Sequence, residues 1–279
     1  MLLDAPGVAT APPDVHPLDG SDRPAGRGGV RDSVYRIAAI ARHNLIIRRR
    51  DPGQMISYIA MPMILMLVLK PIYIRVVSGG DVQVVTGLLV MFSVFAIAIA
   101  GNSILVERHW QTWDRLRQSR ASATEMLLGK TIPIFVMMLL QQSILLVYGC
   151  LVIGIPIPHS IALVALAIVV WAFSLLAVGA ALSTVARSLG ELGVISDVGA
   201  MVLSSMGGSL VPLSIMPGWA QAAAHVSPGY YALRMLKAAI NGDTSGVLIP
   251  AAVLFALGLV AGSYAVWRLA RGWGRTRLL

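Results

Sequence analysis

Six apolar runs, each about as long as a bilayer core requires at ~1.5 Å of helical rise per residue, alternate along this chain with short breaks that carry its charges, prolines and glycines. A sequence written this way has little choice of fold. Hydrocarbon offers no partner to a backbone N–H or C=O, so runs of this length satisfy themselves only as helices. They fall at about residues 55–74, 82–106, 131–155, 161–185, 192–213 and 247–267. A mean hydropathy of +0.76 lies beyond what a soluble core explains, and the expected fold class is an all-α polytopic membrane protein with six transmembrane helices.

Charge sets the orientation. The net charge of +9 would point to nucleic acid in a soluble domain, but here the basic residues cluster beside apolar runs and act as topology signals, which removes nucleic acid as a partner. With the amino terminus placed inside, most of the 22 lysines and arginines fall on the inner side, so both termini are expected in the cytoplasm. Residues 1–30, rich in Pro, Gly and Asp, read as a disordered cytosolic tail and not as a secretory signal. Fold reasoning therefore concerns residues 31–279. Cys150 is the single cysteine, so no disulfide or Cys-based metal site forms within the chain.

Residues 31–51 read as an amphipathic helix lying on the cytoplasmic surface before the first span. Val34, Ile37, Ala38, Ala41 and Leu45 fall on one face and Arg36, His43 and Arg50 on the other, where anionic lipid headgroups would meet them. Toward the other end of the chain, residues 214–242 are too interrupted by Pro and Gly for a full span. Two short helices on the outer side, split at Ser227-Pro228-Gly229, fit that stretch.

The longest charged interruption is residues 107–130, with Arg108, Arg115, Arg117, Arg120 and Lys130 set against Glu107, Asp114 and Glu125. Val106, Trp110, Trp113 and Leu116 recur at helical steps, which predicts a short amphipathic helix. Such a helix is either a connector whose tryptophans rest at lipid headgroups or a docking surface for a soluble partner. Ser122 and Glu125 match the S-x-x-E capping box, so the third helix should start near Ala123 and enter the membrane after Lys130. The run Leu128-Gly129-Lys130-Thr131 fails as a phosphate-binding loop because Thr124 stands where that motif needs glycine.

The spans offer little catalytic chemistry. There is no G-x-S-x-G, and His16, His43, His109, His159 and His225 all lie in tails or loops, so neither an intramembrane hydrolase nor a metal cluster is expected. The polar groups inside the runs are few. Asn102 and Ser204 suit helix packing or a solute path, and Asp197 is either an interfacial carboxylate or a residue of that path.

Three features together resemble the permease subunit of type-2 ATP-binding cassette exporters, the class that includes daunorubicin-resistance permeases. They are the amphipathic segment before the first span, the loop Glu107-Arg108…Thr112…Arg115-Leu116 leading to Leu127-Leu128-Gly129-Lys130, and the stretch from Pro212-Leu213 through Met216-Pro217-Gly218-Trp219 to Ser227-Pro228-Gly229-Tyr230-Tyr231. The resemblance covers roughly residues 31–277. It departs from the common loop pattern at His109, Gln111 and Trp113.

The resemblance implies a bacterial inner-membrane half-transporter with no enzyme activity of its own, working with a separate cytosolic ATPase that binds ATP and Mg and with a second permease, identical or homologous. It puts coupling to the ATPase on Glu107, Arg108, Thr112, Asp114 and Arg115, to which Trp110 and Trp113 add the aromatic anchors. It puts the path along the second and fifth spans, with outer closure near Gly207, Gly208 and Pro212, and Asn102, Asp197 and Ser204 complete that candidate set. A path of this apolar character suits an amphipathic drug, natural product or lipid. Two other readings stand beside it: a membrane scaffold that recruits a soluble protein without transport, and a secondary transporter driven by an ion gradient.

Overall fold

The computed structural model describes residues 29–50, 53–109 and 122–271, and among them every regular element is helical. The order is α1 (Val30–Arg50), α2 (Gly53–Val76), α3 (Gly80–Val94), α4 (Ala96–His109), α5 (Ala123–Tyr148) with a π turn at Gly149–Ile153, α6 (Ile161–Val185), α7 (Leu189–Met206), a 3-10 turn at Leu213–Ile215, α8 (Gly218–Ala224), α9 (Pro228–Asn241) and α10 (Thr244–Ala270). Among the described residues, six stretches are long and apolar enough to cross a membrane: Ile56–Val76, Gly80–Glu107, Thr124–Ile153, Ile161–Val185, Leu189–Met206 and Thr244–Ala270. The chain is a multi-pass, all-α membrane protein.

Helix starts follow the side chains available to accept their free N–H groups. Ser160, Ser188, Ser227 and Asp243 cap α6, α7, α9 and α10, each a contribution of about 1 kcal/mol where the cap is well formed. At Ser122 both halves of the capping box are made, as the sequence predicts: Glu125 N–H donates to Ser122 Oγ at 3.2 Å and Ser122 N–H donates to Glu125 Oε2 at 2.8 Å. Gly154, with φ 87°, stops the π turn just before Pro156 and Pro158.

Helix α6 is the hub, packed against α10 and α4 and also touching α5 and α9. Trp171 at its centre is wholly buried among Leu88, Leu145 and Leu236 in the main core. Lipid is as apolar as leucine, so close packing and not escape from water holds such helices together. Small residues make the approach possible: a Cβ on Gly179 would lie 2.7 Å from Ile97 O, and one on Gly101 would lie 3.1 Å from Gly179 O. A second, smaller core of Ile104, Met126, Ala180, Leu192 and Leu269 closes the end of the bundle where α4 stops and α5 begins, here termed the loop end.

The structure departs from the sequence reading in three places. The predicted single helix over residues 82–106 is two helices joined at Phe95. No Pro or Gly marks the break; Ser93 Oγ donates to Leu89 O at 2.6 Å, a bond that competes with the helical ladder. The fifth span ends at Met206, short of the predicted 213, because Gly208 adopts φ 88° and turns the chain back into the bundle. The third concerns α1. Its packed stripe is Ser33, Arg36, Ile37, Ile40, Ala41 and Asn44, while Val34, Tyr35, Ala38 and Leu45 are exposed. Arg36, expected on the lipid-facing side, instead points at α5.

Candidate functional site

The loop end is built around two carboxylates that flank residues 110–121. On the near flank, Lys130 Nζ donates to Glu107 Oε1 at 2.6 Å and to Ser103 O at 2.9 Å. Lys130 is almost fully buried at its position in the second turn of α5, so its charge requires this partner. On the far flank, Glu125 accepts from Arg36 Nε at 3.0 Å and Arg36 Nη2 at 2.8 Å, and the Ser33 hydroxyl donates to the same carboxylate. The hydrogen bond to Glu125 raises the pKa of the Arg36 guanidinium above its ordinary value. One residue thus caps α5 and clamps α1 to it. Close beside it, α1 lies directly on Gly129, where a Cβ would come within 2.7 Å of Ile40.

The expected coupling residues divide accordingly. Glu107 lies in the last turn of α4, where it braces α5, and Arg108 follows it in the same turn. Trp110, Thr112, Trp113, Asp114 and Arg115 lie outside the described residues.

At the opposite, far end of the bundle the chain between α7 and α8 folds inward and is held by polar contacts. Gln83 Nε2 donates to Gly208 O at 2.8 Å, Lys237 Nζ donates to Gln83 Oε1, and Tyr73 OH donates to Leu210 O. Ser227 Oγ, which caps α9, also donates to Leu203 O at 2.6 Å. Backbone meets backbone here: a Cβ on Gly87 would stand 2.1 Å from Ser209 O, and one on Gly207 would stand 2.7 Å from Tyr230 N. Burial lowers the Lys237 pKa from its usual value, so the ammonium is held at a cost and Gln83 is the acceptor that offsets it.

Of the expected path residues, Ser204, Gly207, Gly208 and Pro212 come together in this inward fold and are buried. Ser204 Oγ is buried with no hydrogen-bond partner. Asn102 belongs elsewhere: its neighbour Gly101 packs on Leu192 near the start of α7, twelve residues or about 18 Å along the helix from Ser204. Asp197 is exposed on α7 among Val194, Val198 and Met201, eight residues or about 12 Å from the helix start at Leu189. The sequence reading left it open between an interfacial carboxylate and a residue of the path. Among the described residues no group of three or more His, Cys, Asp or Glu could hold a metal ion.

Sequence reasoning missed Arg36, Gln83, Tyr73 and Lys237. One signal was present. In a chain whose basic residues are nearly all arginine, Lys70, Lys130 and Lys237 are the lysines, and two of these three carry the internal braces. A compact ammonium on a flexible stem reaches a single buried acceptor more readily than a planar guanidinium does.

Polar contacts thus fasten the bundle at both ends, and comparison with known proteins identifies the class. Residues 35–241 match the family described as ABC-2 type transporter. The chain belongs to that family. This ABC-2 family member is 26% identical over 146 residues to the "Probable multidrug ABC transporter permease YbhR" of Escherichia coli strain K12, a match covering 52% of this chain and 40% of that one. It is 25% identical over 146 residues to the "Inner membrane transport permease YhhJ" of the same strain, covering 51% and 37%. The match therefore spans less than half the length of these relatives. The ABC-2 family member is a membrane subunit of the permease kind, and its recognised segment runs from α1 to the end of α9.

Proposed function

We propose that this ABC-2 family permease is the membrane-spanning half of an ATP-driven exporter in a bacterial inner membrane, with its loop end in the cytoplasm. A separate cytosolic ATPase, binding ATP and Mg, docks on Glu107, Arg108, Trp110, Thr112, Trp113, Asp114 and Arg115, and its nucleotide cycle favours different positions of that segment. One observation carries the reading: both flanks of residues 110–121 are fastened by ion pairs, Glu107 to Lys130 of the spanning helix α5 and Glu125 to Arg36 of the surface helix α1. A displacement of the loop is thereby delivered to α4, α5 and α1 and not lost in a slack connector.

A second copy or a homologue completes the path. Asp197 stands exposed midway along α7, and a carboxylate facing lipid at that depth is costly, which favours a partner subunit or a water-filled path over that face. The inward fold at Ser204, Gly207, Gly208 and Pro212 acts as the outer closure. The solute is an amphipathic drug, natural product or lipid-like molecule, a class that agrees with the multidrug designation of the YbhR relative.

The test is flux of an amphipathic fluorescent dye in proteoliposomes holding the permease with its ATPase. Dye movement should require ATP and persist when ion gradients are collapsed. Movement driven by a proton gradient without ATPase would establish the secondary-transporter reading instead. Recruitment of a soluble protein with no flux under either condition would establish the scaffold.

A further inference from the structure

A cavity of about 640 Å³ opens between α5, α6 and α10. Its walls are almost wholly apolar and include small residues: Gly262 on α10 faces Ala177 on α6, while Gly258 packs against the Phe173 ring. Along α10 it runs from Gly258 to Trp267, nine residues or about 13 Å, close to half the ~30 Å hydrocarbon core and so the height of one leaflet. The same level on α5 spans Leu127 to Phe135, which begins in that helix's first two turns, so the cavity belongs to the leaflet at the loop end.

The mouth has its own chemistry. Trp267 lines the cavity at the level where aromatic residues meet headgroups, and the guanidinium of Arg271 lies 4.5 Å from the centroid of its ring. Arg271 is exposed. A fixed cation at the headgroup level, directly above an apolar slot one leaflet deep, is complementary to a molecule with an anionic head and hydrocarbon tails.

We propose that this cavity is a resident site for one anionic phospholipid, with its acyl chains between α6 and α10 and its phosphate on Arg271. The guanidinium pairs with phosphate oxygens in the manner suited to its planar donors. The site depends only on the protein being in a membrane and is independent of the export reading.

Native mass spectrometry of the purified full chain in mild detergent tests it, with phosphatidylglycerol and phosphatidylethanolamine supplied in equal amounts. The wild-type chain should retain one phosphatidylglycerol through washing, favoured at least tenfold over phosphatidylethanolamine. Gly262→Leu should remove the retained lipid. Its Cβ would sit 3.7 Å from Ala177 Cβ, an ordinary contact, and the rest of the side chain should occupy cavity space. Arg271→Gln, altering an exposed side chain, should abolish the preference between the two lipids. Equal retention of both lipids by the wild type, or phosphatidylglycerol retention unchanged in Gly262→Leu, would overturn the proposal. So would displacement of the lipid by a dye that the assembled transporter exports, since the cavity would then be a solute site.

Discussion

Arg36 reaches across 89 residues of sequence to hold Glu125 with two nitrogens, Nε at 3.0 Å from one carboxylate oxygen and Nη2 at 2.8 Å from the other. The same carboxylate receives the Ser122 N–H at the start of α5. A surface helix and the first turn of a spanning helix therefore share one anion. The amphipathic segment is thereby tied to the entrance of α5 and does not merely rest on lipid.

Arg36→Ala removes this clamp while leaving the capping box intact. Amide exchange across α1 should rise at least tenfold, with α6 unchanged, and ATP-dependent flux should fall while ATP hydrolysis continues. Unchanged exchange in α1 would mean that the contact of Ile40 with Gly129 holds the helix unaided.

At the other flank the buried Lys130 pairs with the partly buried Glu107. Lys130→Met leaves Glu107 without this cation, and removal of one member of a buried pair costs on the order of 3 kcal/mol. Thermal unfolding in detergent should register the loss, and Lys130→Met combined with Glu107→Leu should recover much of it. A double variant as unstable as the single one would argue that the carboxylate is held mainly by other contacts.

At the far end, Gly87 is the position where a methyl group has nowhere to go. Gly87→Ala would place a Cβ 2.1 Å from Ser209 O, and the obstacle is backbone, which cannot rotate away. The inward fold of residues 207–212 should then fail to seat, making an introduced cysteine at Ser209 reactive to a polar maleimide that does not label it in the parent. Labelling that stays absent would show that the fold tolerates a shift of α3.

Lys237 gives a pH dependence of defined sign. Its folded pKa lies below the ordinary 10.5 because burial disfavours the ammonium, so the unfolded chain holds the proton more tightly. Below the folded value both states are charged and the burial cost is felt in full. As pH rises through the folded value toward 10.5, the folded ammonium deprotonates first and the cost is relieved. Wild-type stability measured relative to Lys237→Met should therefore climb with pH in the window below 10.5. A flat difference would mean that Gln83 and solvent together offset the burial.

Asp197 and its neighbours test the second permease. With Cys150 replaced by serine, a cysteine at Val198 should form a disulfide-linked dimer in native membranes, because that exposed face of α7 would meet its counterpart. A linked dimer from Leu248 on α10 but none from Val198 would move the interface to another face.

How much was legible in the residues varies by element. The capping box at Ser122 and Glu125 was legible because capping is a three-residue affair settled by local donors and acceptors. The span of α6 was equally clear, its bounds at 161 and 185 following from the length of the apolar run. The break at Phe95 was hidden, since Ser93 in an apolar run reads as a packing residue until its hydroxyl is seen on Leu89 O. The face of α1 was misjudged for a related reason. Periodicity sorts residues into faces but does not say that Arg36 has an anion waiting on α5.

The sequence by itself determined that this is a six-span helical membrane protein, which end carries its long charged loop, and the family to which it belongs. Those follow from run length, hydropathy and local motifs, each complete within a few turns of chain. Only the tertiary structure decided that Glu125 serves α1 and α5 together, that Gln83 stands between Lys237 and Gly208, and that α5, α6 and α10 leave a slot one leaflet deep. Each of these joins groups far apart along the backbone, and a linear pattern holds no record of the distance between them in space.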